Sequence, residues 1–117
     1  MIKFKSLNRN KDFLKILKKR KLNTKYYTIY FDKNSKHLNK CLNISFVMKK
    51  KIGNAVIRNK IKRKLKSAVQ KILLKKQQID LNCTYVIFGK NIVYKGKFDF
   101  IFNEMTNTFK KIKQINS

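Results

Sequence analysis

Apolar side chains recur along this chain at two spacings, and the switches between them predict its elements. Over residues 10–20, Phe13, Ile16 and Leu17 fall at helical intervals, with Asn10 placed to cap the first turn. Residues 25–31 are dense in aromatic and β-branched side chains, which favour a strand. Alternation there sends Tyr27, Ile29 and Phe31 to one face and Tyr26, Thr28 and Tyr30 to the other. The polar run 32–40 reads as a loop. A second strand over 41–48 places Ile44, Phe46 and Met48 on one face and Asn43, Ser45, Val47 and Lys49 opposite, and the two successive strands are expected to pair as a hairpin.

Gly53-Asn54 can turn the chain and cap a helix running to about residue 75, roughly 33 Å at ~1.5 Å per residue. Ile57, Ile61, Leu65, Ala68 and Ile72 share one stripe of it. Asn59, Arg63, Lys66 and Gln70 lie opposite, flanked by Lys60 and Lys62. Residues 83–88 read as a third strand, ended by Gly89-Lys90. A last helix begins near Phe98, where Ile101, Phe102, Met105, Phe109 and Ile112 make a core stripe. Strand, long helix and strand in succession make a crossover unit, so the fold class is α+β, with helices on a mostly antiparallel sheet. No repeat or linker divides the chain, and 1–117 reads as a single domain with basic disordered ends at 1–8 and 113–117.

Charge changes the picture most. Lys and Arg number 31 against 5 Asp and Glu, a formal net charge of +26, and such a globule repels itself unless a polyanion supplies the counter-charge. With 43% apolar residues the chain still has material for a core, so it reads as a folded nucleic-acid binder rather than a basic tail. The abundance of Lys, Ile and Asn points to AT-biased coding, which makes the position of each lysine more informative than the number. Along the long helix Arg58/Lys62, Lys60/Lys64 and Lys62/Lys66 are like-charge pairs one turn apart, each costing ~0.2–0.5 kcal/mol in isolation. Phosphates would reverse that sign.

Other classes fall away. Lysines interrupt every apolar run well short of the ~18 residues of a membrane span. The N-terminus lacks the apolar segment of a secretory signal, so a cytoplasmic protein is expected. Cys41 and Cys83 sit singly in apolar runs and read as buried reduced thiols. His37 is alone, and Asp12, Asp32, Asp80, Asp99 and Glu104 are dispersed, so neither a nucleophile-base pair nor a metal-ligand set stands out.

The stretch Lys50-Lys-Ile-Gly-Asn-Ala-Val-Ile-Arg-Asn-Lys-Ile-Lys-Arg63 resembles the signature of the bacterial ribonuclease P protein subunit. Asp12-Phe13 on the first helix, the two aromatic strands, the strand ending at Lys90 and the terminal helix follow the order of that family. The resemblance implies a fold like ribosomal protein S5 domain 2, in α-β-β-β-α-β-α order. A fourth strand and a left-handed βαβ crossover belong to that implication, not to the pattern of residues; ordinary crossovers are right-handed in ~98% of cases. It further implies 5′ maturation of precursor tRNA by a ribonucleoprotein whose RNA subunit supplies the active site and, with the substrate, binds Mg²⁺. The protein would be a non-catalytic subunit. Its partners would be the ribonuclease P RNA and precursor tRNA, with no membrane and no obligate protein partner.

By the same resemblance Arg58, Asn59, Lys60, Lys62, Arg63 and Lys66 dock the RNA subunit. Phe13, Leu17, Thr28, Tyr30, Ser45, Val47, Lys49, Lys51 and Lys90 line a cleft for the single-stranded 5′ leader. Such clefts combine cations with aromatic faces on which bases stack, at ~1–3 kcal/mol per base. Four positions depart from the family. Lys60 stands for a second Arg and loses the bidentate fork; Leu17 stands where a second helix aromatic is usual; Val47 and Lys49 replace small hydroxylated residues. Leader contacts should therefore lean toward electrostatics. Two other readings share the charge: a small basic structural protein of the ribosome, and a cationic membrane-surface protein, which the apolar stripe of the long helix argues against.

Overall fold

A computed structural model describes residues 3–6, 10–33, 41–75 and 79–116. His37 and positions 34–40 of the predicted loop lie outside them, as do the side chains of Asn10 and Asp12. The elements in chain order are β1 (Lys3–Lys5), α1 (Asn10–Ile16), β2 (Arg20–Asn23), β3 (Tyr27–Lys33), β4 (Cys41–Val47), α2 (Ala55–Lys75), β5 (Cys83–Gly89) and α3 (Phe98–Asn116). Short 3-10 turns at Lys50–Ile52 and Asn91–Tyr94 precede α2 and α3.

The strands form one sheet in the order β1-β4-β5-β3-β2. β4 pairs parallel with β1 and β5, whereas β3 pairs antiparallel with β5 and β2. The expected hairpin is thus absent: β5 separates β3 from β4, and the sheet is mixed rather than mostly antiparallel. The reason lies in burial. Cys83, Tyr85 and Ile87 bury one face of β5 and Val86 the middle of the other, which suits a central strand and not an edge.

β2 is the fourth strand that the family resemblance implied, and it takes residues that helical spacing would have continued. α1 stops at Ile16, and Arg20–Asn23 pair with β3 through a turn built on Thr24. The Thr24 hydroxyl accepts the backbone N–H of Tyr26 and Tyr27 and donates to the Tyr27 carbonyl at 2.9 Å. Because Tyr26 belongs to this turn, its ring joins the core instead of the face shared by Thr28 and Tyr30. The ends also differ from expectation. Lys3–Lys5 form β1, and α3 continues to Asn116, whose amide oxygen accepts from Arg20 at 2.8 Å while its nitrogen donates to Asp80 and to the Cys83 sulfur.

One face of the sheet carries the core. Ile61, Leu65, Ala68 and Ile72 of α2 and Ile101, Met105, Phe109 and Ile112 of α3 pack with Tyr27, Ile29, Phe31, Leu42, Ile44, Tyr85 and Ile87. The buried phenols are satisfied: Tyr27 bonds Thr108 at 2.6 Å, and Tyr85 donates to the Asp80 carbonyl at 2.6 Å. At the start of α2 the Asn54 side chain accepts the Ile57 N–H at 3.0 Å, the cap that the sequence predicts. Gly53 before it has φ +155°, and a Cβ there would lie 3.1 Å from the Ile57 side chain, so only glycine fits the turn. The opposite face carries α1, which covers only part of it.

Candidate nucleic-acid interface

On the face away from α2 and α3, strand register lines up two rows. Val47, Phe88, Thr28 and Asn23 form one; Ser45, Val86, Tyr30 and Lys21 form the next. Val86 and Ser45 are buried and make a floor, while Thr28, Tyr30, Val47 and Phe88 stay half-exposed. Phe13 reaches over from α1 to Phe88, with ring centroids 6.2 Å apart. Tyr30 meets Phe88 edge-on at 5.6 Å. Two ammonium groups complete the surface: Lys49 Nζ lies 5.6 Å from the Phe88 centroid, and Lys21 Nζ 5.9 Å from that of Tyr30.

Six of the cleft residues named from sequence therefore share one surface: Phe13, Thr28, Tyr30, Ser45, Val47 and Lys49. Leu17 follows the end of α1 and is half-buried, and Lys51 is exposed on the 3-10 turn beyond Lys49. Lys90 does a different job. Its ammonium donates to the Asn23 side chain at 2.7 Å and the Thr24 carbonyl at 2.6 Å, so two of its three donors pin the β2-β3 turn. Phe88 and Lys21 were not singled out from sequence. Alternation along 83–88 does turn Phe88 away from Tyr85 and Ile87, but only the sheet order sets it beside Tyr30.

The second surface is the outer side of α2. Asn59, Lys60, Lys62, Arg63 and Lys66 are exposed there. Lys60 Nζ lies 5.2 Å from the Tyr94 ring centroid and Lys66 Nζ 5.7 Å from that of Phe4, so both stems lean on aromatic rings at the helix flanks. Arg58 is half-buried, and among the described residues its buried Nε has no hydrogen-bond partner, a cost of ~1–3 kcal/mol that structural residues rarely carry. Lys64 turns inward. Its ammonium donates to the carbonyls of Val93, Tyr94 and Gly96 at 3.1, 2.8 and 3.0 Å, fastening the second 3-10 turn to α2. In the pair Lys60/Lys64, accordingly, three carbonyl dipoles take the place of water around one member.

Titratable groups with shifted acidity lie away from both surfaces. Burial is the first cause at each of them: it pushes the Tyr27 and Tyr85 phenols upward and the Cys83 thiol to about 11, with the Asp80 carboxylate adding to the last. A protonated, enclosed Cys83 is a packing residue rather than a nucleophile. Asp80 accepts the Asn82 N–H at 2.9 Å and the Asn116 amide, so its carboxylate is committed to the fold. Among the described residues no group of three or more His, Cys, Asp or Glu side chains is arranged to hold a metal ion, and no helix is long and apolar enough to cross a membrane.

Both surfaces pair cations with half-exposed rings or helix-borne amides, the chemistry expected of an RNA-binding face. The profile of the family described as Ribonuclease P matches residues 1–113. A ribonuclease P protein component from Mesomycoplasma hyopneumoniae is 31% identical over 115 residues, covering 97% of this chain and 97% of the relative. One from Alkaliphilus oremlandii is 29% identical over 112 residues, covering 95% and 93%. The solved Staphylococcus aureus RNase P protein superposes with a TM-score of 0.72 at 25% identity, over 92% of this chain and 94% of that one. The RNase P protein from Thermotoga maritima shares the fold with a TM-score of 0.70 over 92% and 96% of the two chains. Strand order, the basic helix and the match along nearly its whole length lead to one conclusion: the chain belongs to the ribonuclease P protein family.

Proposed function

We propose that this protein is the non-catalytic subunit of a cytoplasmic ribonuclease P ribonucleoprotein and that it holds RNA on two surfaces. The outer side of α2, with Arg58, Asn59, Lys60, Lys62, Arg63 and Lys66, docks the ribonuclease P RNA. The sheet face with Phe13, Thr28, Tyr30, Ser45, Val47 and Lys49, flanked by Leu17 and Lys51, receives the single-stranded 5′ leader of precursor tRNA, while Lys90 holds the β2-β3 turn beside it. Hydrolysis that matures the tRNA 5′ end is assigned to the RNA subunit. Mg²⁺, which supplies charge neutralisation and Lewis acidity there, is held by the RNA and the substrate rather than by protein side chains.

The observation that carries this reading is the arrangement of half-exposed rings under ammonium groups on the face that α2 and α3 leave uncovered. An unpaired strand needs both a stacking partner and a counter-charge, and this face offers half-exposed rings and ammonium groups together. Bridging two polyanions with +26 of net charge lowers their mutual repulsion and reduces the Mg²⁺ needed to bring them together. Reconstitution tests the reading. Adding the protein to its cognate RNA should lower the Mg²⁺ required to cut precursor tRNA and favour precursor over mature tRNA. Cleavage by the protein alone, or indifference of the RNA to the protein at modest ionic strength, refutes it.

A further inference from the structure

We propose that Phe88 is the central base-stacking platform of the open sheet face and that Lys49 is its exchangeable cover. An unpaired RNA base seats on the Phe88 ring as the Lys49 ammonium moves from that ring to a phosphate of the same strand. The inference rests on the leader-binding reading above and names the residue on which that binding centres.

Four observations carry it. Phe88 sits on the central strand, yet it is half-exposed between residues that are fully buried, Ile87 before it and Gly89 after it within the packed end of β5. Among the described residues no ring is stacked parallel on it: Phe13 is tilted by 55° and Tyr30 stands at 71°. Among the described residues, what lies over the ring is the ammonium of Lys49, on a flexible four-carbon stem and exposed to solvent. A cation over an exposed ring is held more weakly than a stacked base, so a base can take its place, and the released ammonium gains a phosphate in exchange. The Tyr30 and Lys21 pair repeats the same construction one strand away, which offers a second seat in line with the first.

The test uses the reconstituted holoenzyme with precursor tRNAs carrying 2-aminopurine at successive single leader positions, and mature tRNA as control. In the wild type one leader position should be strongly quenched on binding. Phe88→Leu should lose that quench and weaken precursor affinity by about 5- to 100-fold, with mature tRNA unchanged, and Phe88→Trp should restore both. Lys49→Met should keep the quench while lowering the slope of log affinity against log salt by about 1. Unchanged quench and affinity in Phe88→Leu would overturn the inference while a wild-type preference for precursor left the proposed function standing. Loss of that preference in the wild type itself would strike the function first. A wild-type complex with no quenched leader position overturns the platform whether or not the Phe88→Leu protein folds.

Discussion

The two proposed RNA surfaces are made differently. The outer side of α2 comes from a single helix, so its cations keep fixed spacing whatever the rest of the chain does. The open sheet face is assembled from α1, β2, β3, β4 and β5, and no two of its rings are neighbours in sequence. The helix surface is therefore a property of local periodicity, and the sheet surface is a property of strand order. Within the helix the contrast sharpens further: Lys60 and Lys64 are one turn apart and chemically identical, yet one lies exposed beside Tyr94 and the other is enclosed by three carbonyls.

The largest effect that would break this comparison is electrostatic. If the two surfaces together contact ~6–10 phosphates, affinity for RNA should fall about 10³- to 10⁵-fold between 50 and 200 mM salt, measured by filter binding or titration fluorescence. A flat salt profile would remove both surfaces at once. Next is the division between the two lysines. Lys64→Met should destabilise the protein by about 2–3 kcal/mol in denaturant unfolding, since it strips a charged donor from three part-buried carbonyls, whereas Lys60→Met should stay within about 0.5 kcal/mol. Equal losses would mean that α2 carries no distinction between structural and ligand-facing cations.

Of similar size, but in binding rather than stability, is the pair Arg58→Ala and Arg63→Ala. Each should weaken assembly with the RNA subunit by ~1–3 kcal/mol with little change in melting temperature, and at Arg58 the loss of an unpaired buried donor offsets the lost packing. Phe13→Ala should act on the other surface alone, reducing affinity for precursors with leaders by ~1–3 kcal/mol while leaderless tRNA binds as before. The smallest effect separates the covered face of the sheet from the open one. The Cys83 thiol is raised to about 11, so the folded state holds its proton after the unfolded chain has lost it. That contribution is complete below the ordinary thiol range and is lost as pH climbs from about 9 past 11. Unfolding in denaturant at pH 8 and pH 10.5 should show a smaller decline for Cys83→Ala than for the wild type, and thiol reagents should label half-buried Cys41 before Cys83.

Legibility followed the same division. The stripes of α2 and α3, the Asn54 cap and the strand character of 27–31, 41–47 and 83–88 were visible because each depends on neighbours within a turn or a pleat. The family signature lies in that same local stretch. The hairpin was misread because succession in sequence says nothing about which strand inserts between two others, and the two-faced burial of β5 decided it. β2 was hidden since Arg20–Asn23 is short and polar, and its pairing rests on the Thr24 turn and the β3 edge. Lys64 was indistinguishable from its neighbours because the carbonyls that bind it arrive from residues 93–96.

From residue order alone came the charge, the helical stripes, the cap at Asn54 and the cationic side of α2, since periodicity and short-range hydrogen bonds need no distant partner. Strand order, the inward turn of Lys64 and the meeting of Phe13, Tyr30, Phe88 and Lys49 waited on the folded sheet. Those contacts join residues tens of positions apart, and the burial of a central strand, not any local preference, brings them together.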